Sequence, residues 1–218
     1  MRYFRLCTLL PVCAGLLLGS TMISSLLFAQ GAARDKISGN AYEQTVVKNQ
    51  TQSFRTGQQI FRFDTFGDEA FWGDTIKLHQ AIQGTKFGGV GAGVTPKTAL
   101  TLGLKVDSDA LPRSLQNDIK RGRVNLNDPA TTLALLKLNA VVGVKGFFTQ
   151  DGTRLRSIGV SCAICHSTVD DSFAPGIGKR LDGWANRDLN IGAIVASAPD
   201  LSAYANALQT DQATVRKV

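Results

Sequence analysis

Five consecutive residues, Cys162-Ala163-Ile164-Cys165-His166, hold most of the chemistry this chain can do. Two thiols three residues apart, followed directly by an imidazole, fit one turn of helix, where positions i, i+3 and i+4 share a side. From that side each sulfur reaches one vinyl group of a single porphyrin, and the imidazole reaches the metal. The spacing C-x-x-C-H is a covalent haem-attachment signature, with Cys162 and Cys165 as the anchors of one haem c and His166 as the proximal iron ligand. Three other chemistries use some of these residues. A disulfide oxidoreductase also carries C-x-x-C, but between a strand and a helix of a βαβ unit. A zinc site would take both cysteines and both histidines, although His166 directly after Cys165 is not finger spacing. A plain disulfide leaves His166 without a task. The haem reading uses all three side chains, and the sequence favours it.

Residue counts sharpen this. The 218-residue chain has four cysteines, two histidines and two methionines. Cys7, Cys13, Met1 and Met22 all lie near the start, where a basic pentapeptide precedes an apolar run over residues 6–18 and small residues end the segment at Ala29-Gln30-Gly31-Ala32-Ala33. That order reads as a secretory signal peptide over residues 1–33, with cleavage after Ala29 or Ala33. An uncleaved anchor is the alternative, since residues 6–28 could just span a bilayer. Only that case associates the protein with a membrane. A lipid anchor at Cys13 is disfavoured by the bulky Leu10-Pro11-Val12 before it. Either way the body is expected outside the cytoplasm, in the periplasm. The net charge of +7 falls to +5 when Arg2 and Arg5 leave with the leader. So mild an excess reads as a solvated surface, with no nucleic-acid partner.

The elements that must position the motif follow from local signals. Residues 34–53 are polar and aperiodic and read as a flexible arm; order is expected over 54–218. Residues 68–83 read as one helix, with His79 inside an apolar arc shared with Phe71, Trp72, Leu78 and Ile82. The glycine-rich 87–93 lacks the phosphate-loop ending and reads as a connector. Thr95-Pro96, Leu111-Pro112 and Asp128-Pro129 open three helices. Asp107 and Asp109 lack the other ligands of a calcium loop and read as capping residues. Apolar runs at 141–148 and 155–160 flank Asp151-Gly152 and predict a β-hairpin directly before the motif. Residues 170–187 read as a long ordered loop, 189–196 and 200–208 as helices. A last helix is expected from a Thr210 cap; its lack of a C-cap suggests the front part of a longer protein.

On Cys162, Cys165 and His166, with Pro175-Gly176 beginning nine residues after the histidine, the chain resembles the c-type cytochromes. From Phe54 onward, the stretch at residues 58–69 (QQIFRFDTFGDE) is also similar to segments of larger bacterial cytochromes related in style to dihaem peroxidases. The resemblance implies a mainly α, cytochrome c-like helical haem domain with a small β-hairpin before the motif. It implies one haem and single-electron transfer between redox protein partners. It makes the Pro175 carbonyl a candidate acceptor for the His166 imidazole, against a simple turn proline. The chain departs from the carrier pattern because no methionine follows residue 22, and carriers usually bring a Met to the iron. His79 is then a candidate sixth ligand. The alternatives are an open position, which suits a haem peroxidase-like enzyme subunit, and a ligand from beyond Val218 or from a partner. Trp184, Phe147 and Phe148 are candidates to line the haem. Lys179, Arg180 and Arg187 are candidates to pair with its propionates, against ordinary solvated surface.

Overall fold

The computed structural model describes residues 40–217, so the expected signal peptide, the first residues of the arm and Val218 lie outside the described residues. The chain divides into two compact units, 1–53 and 54–218. Residues 41–53, expected as an aperiodic arm, are instead the first part of a helix, α1 (Ala41–Phe63), which buries none of its residues. Among the described residues no helix is long and apolar enough to cross a membrane.

Within 54–218 the single helix expected over 68–83 is broken. A wide π-type turn (Ala70–Thr75) leads to Lys77, whose backbone is left-handed at φ 58°, and only then does α2 (Leu78–Gln83) begin. The cause is tertiary. Gly73 sits so close to Ser157 that any Cβ would collide with that side chain. Lys77 is held by an ion pair to Asp200 at 2.9 Å. Helices α3 (Pro96–Thr101) and α5 (Pro129–Lys137) start where expected, with Thr95 and Asp128 accepting backbone N–H bonds as caps. Helix α4 (Arg113–Lys120) follows Pro112. The chain ends in α7 (Ile191–Ala196), α8 (Ser202–Ala207) and α9 (Gln212–Val215), the last capped by Asp211 rather than Thr210.

The expected hairpin is present as β2 (Val144–Phe148) against β3 (Leu155–Val160), antiparallel from Val144↔Val160 to Phe148↔Leu155. Two further small sheets lie in segments without strand periodicity. In the first, β1 (Val106–Asp107) runs parallel to β5 (Ile177–Gly178); in the second, β4 (Ser167–Val169) runs antiparallel to β6 (Arg180–Asp182). The described residues thus form a helix-rich mixed architecture in which the expected helices and hairpin are joined by further small sheets, three two-stranded ones in all among the described residues. The principal core gathers Leu133, Leu135 and Leu136 of α5, Leu155 and Ile158 of β3, and Ile76, Leu78, Val106, Ile177 and Leu201. Each fully buried Leu or Ile of this kind stabilises the fold by about 1.5–3 kcal/mol relative to exposure.

Candidate functional site

Directly after β3 the chain makes one helical turn, α6 (Ala163–His166). Its two middle residues point inward. Ala163 packs with Val142, Val169 and Phe61. Ile164 lines a small apolar cavity of about 50 Å³ with Val144, Ile158 and Val160. The i, i+3, i+4 geometry then sends Cys162, Cys165 and His166 outward, and all three are exposed. Both cysteines are free thiols. The three residues that the sequence singled out thus share one solvent-facing side of a single turn.

Four residues are too few to hold a helix by local bonds alone. Neighbouring elements supply the rest. On the entry side, the Ser161 N–H donates to the Gly143 carbonyl at 3.0 Å and the Ser161 hydroxyl to the Arg62 carbonyl at 2.9 Å. Asp68 accepts from the Val160 N–H at 3.0 Å and from Trp72 Nε1 at 3.0 Å. Burial nonetheless leaves the Asp68 carboxyl above its ordinary range. Gly143, with φ 73°, meets the backbone of Ile164 so closely that no Cβ fits there.

On the exit side, β4 runs out from the motif and β6 returns, which carries residues 183–188 back across the turn as a strap. The Gly183 N–H donates to the His166 carbonyl at 2.8 Å, and the Asn186 N–H to the Cys165 carbonyl at 2.9 Å. The Asn186 side-chain amide donates to the Ile164 and Gly103 carbonyls at 3.2 and 3.0 Å. Three of the four carbonyls that a helix end leaves bare, those of Ile164, Cys165 and His166, are therefore satisfied. The strap is pinned further on by the Lys105–Asp188 ion pair at 2.5 Å. Asp182 anchors its start. It takes a two-point contact from Arg62, at 2.7 Å to Nε and 2.6 Å to Nη2, and a bond from the Ser167 hydroxyl at 2.9 Å. Burial pushes the Asp182 carboxyl up, but these bonds outweigh it and the pKa settles below the ordinary value.

His79 lies in the first turn of α2. His79 lines a cavity of about 340 Å³ with Thr149, Arg154 and Leu155, at the far end of the hairpin. Its Nδ1 is buried without a hydrogen-bond partner. Burial, opposed in part by Asp74, holds its pKa below the usual 6.5.

Pro175 lies at the turn between β4 and β5 and lines a cleft with Leu100, Lys105 and Asp188. The bond from Gly183 engages the His166 backbone carbonyl and not its imidazole. Phe147 and Phe148 are half-buried on β2. Lys179, Arg187 and Trp184 are exposed. Arg180 has a side chain only 2% exposed, lies 3.6 Å from Asp107, and stacks over the Phe63 ring. Asn186, Gly183 and Gly143, which hold the motif in place, carry no motif of their own in the sequence. Among the described residues no group of three or more His, Cys, Asp or Glu side chains is placed to hold a metal ion by itself. No family model matches the chain, and neither the curated proteins nor the solved structures contain a match to it.

The residues fit a covalently held macrocycle. Two free, exposed thiols spaced by one turn can take two bonds to one rigid group without disturbing the core, because the side chains between them are already packed. The adjacent imidazole is free to turn toward a metal at the centre of that group. A disulfide oxidoreductase wants the pair at the start of a helix that follows a parallel strand; here an antiparallel hairpin precedes a four-residue turn.

Proposed function

We propose that this chain is an exported c-type cytochrome that carries one haem c and passes single electrons between redox protein partners in the periplasm. The observation that carries the reading is two free thiols and an imidazole, all exposed on one turn whose inward side chains are packed and whose Ile164, Cys165 and His166 carbonyls are bonded. Cys162 and Cys165 hold the porphyrin: each S–H adds across one vinyl C=C, sulfur to one carbon and hydrogen to the other, with no atom lost. His166 gives its imidazole to the iron. The bound haem supplies a metal that gains and loses one electron, and the protein supplies orientation and dielectric. The helices and hairpin around the motif are read as a cytochrome c-like haem domain with small sheets added. The leader at 1–33 directs export in this reading.

One observation favours a second reading, a haem peroxidase-like enzyme subunit with an open coordination position. His79, the other histidine of the chain, sits at the far end of the hairpin from the motif. A single set of measurements separates the readings. The full chain, produced with a working haem-attachment system, is expected to gain the mass of one haem and show a Soret band. Cys162→Ser with Cys165→Ser should show neither. A wild-type chain with the mass of its amino acids alone and no Soret band would end the haem reading. A low-spin ferric spectrum supports the carrier, and a high-spin spectrum that responds to peroxide supports the enzyme.

A further inference from the structure

Of the two tryptophans, Trp72 is half-buried and donates to Asp68. Trp184 is 66% exposed. An indole offers a large apolar surface, and one exposed beside the motif turn is available to pack against a bound group. The Trp184 backbone is fixed to the motif on both sides. Gly183, before it, donates to the His166 carbonyl, and Asn186, two residues on, donates to the Cys165 carbonyl. The side chain is thus carried on a strap that touches the motif at both ends, next to three residues that are themselves exposed.

A porphyrin tethered to those two sulfurs brings a wide apolar face that needs cover, and Trp184 is an uncovered apolar face a few residues away along bonded backbone. We infer that Trp184 is an aromatic wall of the haem site and packs against the porphyrin held by Cys162 and Cys165. The inference rests on the haem reading and names a further residue of that same site. An offset stack or an edge-to-face contact satisfies both partners, since each carries a π-face. The rival occupant is a partner protein, which would leave Trp184 open in the purified molecule.

The test compares the wild-type chain made with and without the haem-attachment system, using hydroxyl-radical footprinting read by peptide mass at Trp184 and Trp72. Intact mass reports haem loading. Trp184 is expected to oxidise at least about fivefold more slowly in the haem-bearing chain, with Trp72 changed less than about twofold. A haem-bearing chain whose Trp184 oxidises at the haem-free rate overturns this inference alone and leaves the residue as a partner contact. No haem mass in either preparation overturns the haem reading and this inference with it. Should the haem-free chain fail to fold, Trp184→Ala in the haem-bearing chain decides. Opening the wall to water favours the more highly charged ferric state, so the midpoint potential is expected to fall. An unchanged potential would overturn the inference.

Discussion

Arg180 brings a guanidinium into a site where its side chain is 2% exposed and none of its three nitrogens has a hydrogen-bond partner. Asp107 and Asp182 stand 3.6 and 3.9 Å from its Nε, close enough to attract and too far to bond. Burial lowers the Arg180 pKa and Asp107 opposes the shift, but a guanidinium stays charged in proteins. Breaking a buried pair and deleting it are different operations. Arg180→Met with Asp107→Asn deletes the pair: the orphaned donors go, a long apolar stem stays, and Asp182 retains Arg62 and Ser167. That change is expected to alter stability by less than about 1 kcal/mol. Asp107→Ala takes away the nearer carboxylate and leaves the cation buried, which is expected to cost about 3 kcal/mol. Urea unfolding of the two variants checks the asymmetry. Equal losses would mean that the pair is bonded in solution.

At the scale of elements, the motif turn depends on its strap. Asn186 makes three of the bonds that seat α6, one from its backbone and two from its side chain. Asn186→Ala leaves the Ile164 and Gly103 carbonyls without that donor and is expected to cost about 1–3 kcal/mol. It should also speed hydrogen exchange at the His166 and Gly183 amides while leaving the hairpin amides unchanged. Uniform acceleration across the domain would show that the strap is not a separate unit. None of this was legible beforehand. The Asn186 side chain acts on backbone carbonyls 22 and 83 residues away, and no local pattern encodes such a bond. Strands of two or three residues, such as β4 and β6, are too short to show alternation. The broken helix was hidden for a related reason: apolar spacing over 71–82 runs on through Lys77, and the break is imposed from outside by Ser157 and Asp200. What could be read was whatever local chemistry fixes. Asp151-Gly152 made the hairpin visible, because the Asp151 carboxylate ties Thr149 and Thr153 across the turn. Thr95 and Asp128 announced helices because a cap acts within three residues. That Cys162, Cys165 and His166 share one side followed from helical periodicity alone; that this side faces solvent is set by the packing of Ala163 and Ile164.

For the molecule as a whole, the division between Ser53 and Phe54 cuts α1 within a continuous helix. Helical continuity and folding dependence are separate matters. Every side chain over residues 40–53 is exposed, and none belongs to either core cluster. The second part of the helix is different. Phe61 packs on Ala163, Arg62 holds Asp182, and the Arg62 carbonyl accepts from Ser161. A chain that lacks residues 40–53 is therefore expected to melt within about 2 °C of the full chain and, on the proposed reading, to load haem equally. A chain that begins at Phe66 loses the Arg62 clamp and the Phe61 contact together. At about 4–8 °C per kcal/mol for a small domain, or half that for one of this size, a loss of about 3 kcal/mol lowers melting by roughly 10 °C. Haem loading should fall with it, because the entry side of the motif turn is then unsupported. Thermal melts of the two truncated chains decide the point. A large drop in the first would place residues 40–53 among the supports of the motif turn, and no drop in the second would free the motif from α1 altogether.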